Sequence, residues 1–565
     1  RKKITFIGDD EDNNIHVGDS DKLAEKVKAN QSDFEIEKIY LDNYTKTSND
    51  RYPEAQDAIN RTIAKGTMLI NYIGHGGING LSHELVITKA SIQKWSNHNR
   101  LPLFVTATCE FSRFDDPKNV SAGEEVFLNP NGGGIALLST TRLAYSSLNY
   151  QLNNAFFNHV FEPVGENIRP TFGEIIKNTK NETRSTINKL NFILLGDPAL
   201  KLIYPENKIN TIKINSNDVG EVLDTLKALS VATIEAEITD SLGAILSDFN
   251  GTTDIIIYDK AQTVKTKGNK GQTPFEFSQY PNTLFKGKAK VEKGKFKIEF
   301  MVPFDIRYNL DFGRISYYAV SDDGRDAMGS FTEFIVGGFN PEAQEDEEGP
   351  KMNLYLNHAN FSNGDVTGTQ PVLYAELSDE SGINTSGSGI GHDLVLILND
   401  DSANPMILND YYQADEGTYR SGKLIYQLPI LPIGKHQISL KAWDNFNNSS
   451  TVNINFEVSN EKKLYIENFK WFPNPVHRNE TNTVSFETHE GNSILDITIT
   501  GFKQTGESTG SLTTQKVTTD NFIQPFTLSL PTIGITEAGF YLVRFHIESS
   551  TGKKTQITHK IMVLP

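Results

Sequence analysis

Among 565 residues there is a single cysteine, Cys109, and it stands directly after a run of β-forming residues, "LPLFVTAT" (101–108). A second run of this kind, "TMLINYI" (67–73), leads into "GHGG", which carries His75. A thiol and an imidazole are the partners of cysteine-based acyl transfer. The thiolate is the nucleophile, and a free thiol near pKa ~8.5 needs a neighbouring imidazolium or helix N-terminus to lower it. The same imidazole then protonates a leaving amine. Gly74, Gly76 and Gly77 let the backbone turn sharply and let a substrate approach closely. The N–H groups of Gly76 and Cys109 are the candidate oxyanion donors, of a kind worth ~3–4 kcal/mol each in a comparable hydrolase.

Positions 75 and 109 become neighbours only if the elements around them say so. The connection between the two strands contains one helix, beginning after Thr88. Strands joined by a crossover helix run in the same direction, so His75 and Cys109 reach the same edge of a sheet. That carboxyl edge is where open α/β sheets build their sites. Adjacent strands lie ~5 Å apart, which brings two side chains above the edge toward hydrogen-bonding range. The rest of 1–205 fits this frame: strands over 3–8, 34–41 and 132–140, and helices over 20–30, 52–66, 88–97, 148–161 and 172–188. Ser20 or Asp21 serves as one N-cap, and Pro53 and Gly66 bracket the second helix. The predicted fold class is an α/β domain with a mostly parallel sheet and helices on both faces.

After "LLGDPALKLIYP" (194–205) the texture changes to short alternating runs punctuated by Gly, Asn, Asp and Ser, the pattern of antiparallel β-sandwiches. Three such modules are expected, over 206–338, 352–460 and 461–565. The acidic, proline-flanked segment 339–351 is a solvated linker, and a softer boundary falls near 458–467.

The net charge of −17 argues against nucleic-acid or anionic-lipid partners. No apolar run approaches the ~20 residues of a membrane helix. The first residues, "RKKITFIGDD", enter a strand at once without an initiator Met, which reads as the later part of a longer processed polypeptide. No cofactor is required by thiol chemistry. Acidic loops at 113–119, 321–329 and 375–389 offer oxygen ligands of the kind that hold a structural Ca²⁺, without EF-hand spacing. His75 and His83 lack the HExxH or Cys/His spacing of zinc sites. "GHGGINGL" lacks the P-loop Lys-Ser/Thr, and no GxSxG elbow occurs.

The combination "NYIGHGG", "LPLFVTATCEF", "GGGIALLSTTR" and "NFILLGDPALKL" resembles the catalytic domain of gingipain-type cysteine peptidases, of the caspase-like clan, over residues 1–205. The resemblance implies that Cys109 is the nucleophile and His75 the general base and acid. That family orients its histidine with an acid at the end of an earlier strand, which implies Asp10, with Asp9 as the substitute. It implies a substrate pocket walled by Ser139, Thr140, Thr141 and Arg142, with Glu110 beside the nucleophile gating substrate or merely solvated. The acid that selects a basic P1 residue is not matched to one position among Asp12, His16 and Asp19.

"WSNHNRLPLFVTATCEFSRFDDP" is similar to the sortase branch of this family, from the type IX secretion system of Bacteroidetes. "FKWFPNPVHRNETNTVSFE" and "AGFYLVRFHIESSTGKKTQITHKIMV" resemble the β-sandwich sorting domain of that pathway. These likenesses imply a cell-surface enzyme that removes C-terminal sorting domains from secreted cargo and joins the cargo to anionic lipopolysaccharide. They also imply an outer-membrane β-barrel partner. The competing reading is a caspase-like scaffold, non-catalytic or latent, that binds partners through its β modules.

Overall fold

The computed structural model describes residues 2–565 apart from 165–167, 185, 360, 388–390, 460–463, 465, 479, 489–492, 520, 521, 524 and 551. The N-terminal domain is built on β1 (Lys3–Gly8), α1 (Ile15–Asn30), β2 (Glu35–Tyr40), α2 (Pro53–Lys65), β3 (Leu69–Ile73) and α3 (Lys89–Ile92). It continues through β4 (Leu103–Ala107), α4 (Ala122–Leu128), β5 (Ala136–Thr140), α5 (Ser146–His159), α6 (Phe172–Glu182), α7 (Thr186–Asn191) and β6 (Phe192–Leu195). The sheet order is β2-β1-β3-β4-β5-β6. Its first five strands are parallel, and β6 is antiparallel to β5.

Alternation along the strands explains why helices cover both faces. Ile4, Phe6, Leu69, Ile73, Val105 and Ala107 join Leu23 and Val27 of α1 and Leu152 and Phe156 of α5 in one core. Ile7, Ile70, Tyr72 and Phe104 join Ile59 and Ile63 of α2 and Val126 of α4 in the other. A period of two sends successive side chains to opposite faces. Both faces are apolar, as a buried parallel sheet requires.

Three expected boundaries shift. The first helix starts at Ile15, with Asn14 as its left-handed N-cap, so Ser20 and Asp21 lie inside it. Polar His16, Asp19 and Ser20 are buried there, and they hid the apolar periodicity. The helix expected over 88–97 is only Lys89–Ile92, held by a Thr88–Ser91 capping box. The one expected over 172–188 breaks after Glu182, and residue 185 of it lies outside the described residues.

Strands from Asn207–Ile214 to Ile335–Phe339 follow, and residues 1–344 form one compact unit. A hairpin of this module, Gln262–Lys265 paired with Glu276–Gln279, sends its tip to the first domain. There the N–H groups of Gly268 and Asn269 each donate at 2.7 Å to the Asp42 carboxylate. Arg314 donates to the carbonyls of Ser32 and Phe34, and Ser316 to Glu35. Glu35, buried but faced by Lys2 and Lys3, is held down at a pKa of about 2.

The second unit, mainly 345–565, is all-β among its described residues. Lys351–Leu356 to Ser449–Val458 form a four- and a five-stranded sheet. Ile466–Phe472 to Lys554–Leu564 enclose a core around Trp471, Phe486, Ile497 and Phe545. The softer boundary expected near 458–467 includes 460–463 and 465, outside the described residues. No helix among the described residues is long and apolar enough to cross a membrane.

Candidate active site

Ile73 pairs with Ala107 at the end of the β3–β4 ladder, and both side chains enter the same core. His75 and Cys109 each lie two residues further on. They therefore occupy equivalent positions above the same sheet edge, and both are half-buried. The chain then reverses sharply on each side. Glu110 takes a left-handed φ of 50°, uncommon for a residue with a Cβ. Residues 76–77 fold back onto 80–81 as a short antiparallel pair.

Two glycines are dictated by close approach. A Cβ on Gly74 would lie 2.2 Å from the Cβ of Asp9, and one on Gly76 would lie 2.6 Å from Thr108 Oγ1. The His75 turn is thus pressed between the ends of β1 and β4. The amide of Asp9 donates to Ile73 O at 3.0 Å, and the amide of His75 donates to Asp9 Oδ2 at 2.7 Å. Asp9 is fully buried, and burial raises its carboxyl to a pKa of about 8 despite that hydrogen bond.

The acid beside the imidazole is not Asp10. Asp10 is buried, accepts from Tyr52 Oη at 2.8 Å and lies 3.8 Å from Lys270 Nζ. Left-handed φ angles at Asp12, Asn13 and Asn14 curl the chain back over the edge, and it is Asp12 Oδ2 that meets His75 Nε2 at 3.0 Å. Glu11 Oε2 lies 3.6 Å from the same nitrogen. Asp9 touches the His75 backbone rather than the ring.

Two further histidines, neither of them expected among the catalytic residues, surround the ring. His16 Nε2 lies 3.2 Å from Asp12 Oδ2, and its ring meets that of His75 edge-on at 5.2 Å. His83 stacks on His75 at 4.9 Å and pairs with Glu11 at 2.7 Å. Burial tends to raise the Asp12 carboxyl, but the hydrogen bond and charge of His75, with His16, bring it below its ordinary range. Burial likewise opposes ionisation of Glu11, and Lys270 and His83 outweigh it, leaving a pKa of about 2. Burial and the charge of His75 lower His16, whereas Glu11 raises His83.

Cys109 Sγ is engaged by the loop after β5: it donates to Ala144 O at 3.6 Å and accepts from Ala144 N–H at 3.5 Å. Among the described residues no hydrogen bond joins Sγ to His75, whose Nε2 is held by the acids of 11–12. Leu143 and Tyr145, on either side of Ala144, are 68 % and 62 % exposed, large apolar groups presented beside the sulfur.

The expected pocket wall is corrected in part. Ser139 and Thr140 are fully buried, hydrogen-bonded to Thr106 Oγ1 and Thr108 O, and so brace β4 from behind. Thr141 is tied to Asn191 O. Arg142 is exposed and held by two bonds to Asp115, and Glu110 pairs with Arg113 at 3.3 Å. Of the expected oxyanion donors, Gly76 belongs to the short pair at 76–77, and the Cys109 amide donates to no described group.

The acidic loops differ from one another. Arg142 neutralises Asp115 in 113–119, and Arg325 neutralises Asp323 in 321–329. Asp379 of the third loop instead gathers with Asp346 and Asp444, carboxylate oxygens within 4.8 Å.

Residues 1–203 match the family model described as Peptidase family C25. No curated protein matches the chain. Dimeric latent PorU from Porphyromonas gingivalis is 28% identical over 76% of this chain and 41% of its own, with a TM-score of 0.33. The Arg specific cysteine proteinase gingipain R is 15% identical over 60% of this chain and 67% of its own, with a TM-score of 0.32. The chain thus spans about two fifths of the PorU chain.

Proposed function

Because residues 1–203 match the model of Peptidase family C25, we propose that the chain is a cysteine endopeptidase of that family, with Cys109 as nucleophile and His75 as acid–base. The observation that carries this is the matched placement of the two residues, each two positions beyond a paired Ile73 and Ala107 on one parallel edge. Carboxylates at Nε2 favour the tautomer with its proton there, so Nδ1 keeps the lone pair that takes the thiol proton. The thiolate, with the Ala144 N–H beside it, attacks the scissile carbonyl carbon. His75 returns the proton to the departing amine, leaving a thioester on Cys109. The free Cys109 amide supports the oxyanion. Leu143 and Tyr145 supply apolar contact for substrate.

The finer reading is a cell-surface sortase on the extracellular face of the outer membrane. Its thioester passes to an amine of anionic lipopolysaccharide after a C-terminal sorting domain is removed from secreted cargo, and an outer-membrane β-barrel is its partner. The motif likenesses in 95–117 and in the last module support it. The test incubates the protein, and its Cys109→Ala variant, with cargo carrying a sorting domain plus a small amine. Cargo joined to the amine supports the sortase, and cargo ending in a free carboxylate supports a plain peptidase. No Cys109-dependent product removes both.

A further inference from the structure

We propose that Asp12, His16 and His75 form a Zn²⁺ site whose occupation withdraws His75 from the thiol. Two imidazole nitrogens converge on one carboxylate oxygen: His75 Nε2 at 3.0 Å and His16 Nε2 at 3.2 Å from Asp12 Oδ2. The three ligand atoms all lie within 4.8 Å of one another. Tetrahedral zinc, with bonds of ~2.0–2.2 Å, sets its ligand atoms about 3.3 Å apart, so small movements suffice. Orienting His75 needs only Asp12, and the second imidazole has no part in that task.

The donor set also selects the ion. Two imidazoles and one carboxylate suit zinc, whereas calcium takes oxygens. His16 is 4% exposed and fixed in the first turn of α1, with Nε2 turned out toward Asp12. The Asp12 side chain is 50% and that of His75 35% exposed, which gives the ion a path in and leaves a fourth position for water. Glu11 is the less suited neighbour, since Lys270 and His83 already hold its two oxygens. With zinc on Nε2 the neutral ring carries its proton on Nδ1, so the nitrogen that would take the thiol proton has no lone pair to offer, and the ring cannot swing toward Cys109. Only this consequence rests on the peptidase reading; the site itself does not.

The experiment titrates Zn²⁺ into the full chain carrying Cys109→Ala, against a chromophoric chelator, so that binding is read without activity or the thiol. Uptake of one ion, weakened more than about 10-fold by Asp12→Asn and by His16→Gln, is expected. A Co²⁺ substitution should show the intense visible bands of a tetrahedral site and lose them in the same variants. Uptake indifferent to both variants, or no uptake, overturns the site. Should His16→Gln fail to fold, as judged by its melting curve, the half-exposed Asp12→Asn decides alone. In the parent chain, Zn²⁺ should slow iodoacetamide labelling of Cys109; labelling unchanged with zinc bound overturns the withdrawal. Loss of the peptidase reading would appear differently, as slow labelling before any metal is added.

Discussion

Lys270 reaches the site from the hairpin of the neighbouring module, and its removal should be felt as a loss of stability with a defined pH signature. Its Nζ lies 2.5 Å from Glu11 Oε1, 2.6 Å from Glu84 Oε1 and 3.8 Å from Asp10 Oδ1. Glu84 and Asp10 are 2% and 0% exposed, so Lys270→Ala strands carboxylates that water cannot reach. Breaking a buried pair from one side costs about 3–5 kcal/mol. Lys270 itself is 26% exposed, and screening at that end reduces the expectation to roughly 2–4 kcal/mol at pH 7. Urea denaturation of the parent and variant measures the difference. Glu11 is depressed to a pKa of about 2, so its contribution is present above its unfolded value, 4.5, and fades as pH falls through 2. The deficit should therefore shrink between pH 5 and pH 2. A deficit below about 0.5 kcal/mol at pH 7, the range of ordinary surface substitutions, or one that grows on acidification, would refute the reasoning.

Four further expectations follow from the same geometry. Asp12→Asn should lower kcat by about 10-fold or more, yet less than the ~10⁴ of a buried triad acid, because Asp12 is half exposed. Asp10→Asn should instead cost stability through the Tyr52 contact; a kcat effect larger than that of Asp12→Asn would reverse the assignment. Gly76→Ala should lower both activity and the melting midpoint, since its Cβ must displace the buried Thr108 and the His75 turn; full activity would show that the close approach is unnecessary. Asp9, raised by burial to a pKa of about 8, keeps its proton in the folded chain over a range where the unfolded chain has lost it. Stability should thus fall as pH rises from about 4 to 8, by at most about 1.4 kcal/mol per unit from this one group. Asp9→Asn should flatten that slope, and an unchanged slope would show that another group sets it.

The strands carrying His75 and Cys109 were legible because both are continuous apolar runs, and parallel topology converts 34 positions of sequence into one shared edge. The acid was not. "GDDEDNN" offers four carboxylates in a row, and only the left-handed turn at 12–14 decides that Asp12 returns to the ring while Asp9 and Asp10 are buried. Ser139 and Thr140 sit at a strand end, where sequence cannot tell bracing a neighbour strand from facing a pocket. His16 was masked by a helix whose buried face is partly polar. Lys270 arrives from more than 250 residues downstream, a non-local contact without any signature in the motif itself.

The central claim is that His75 activates Cys109, and alkylation of the single thiol tests it most directly. Intact mass after brief exposure to iodoacetamide or a peptidyl chloromethyl ketone at neutral pH should show one rapid adduct on Cys109. His75→Ala should slow it to the rate of free cysteine. Labelling that is sluggish in the parent, or equally fast without the imidazole, would contradict the account.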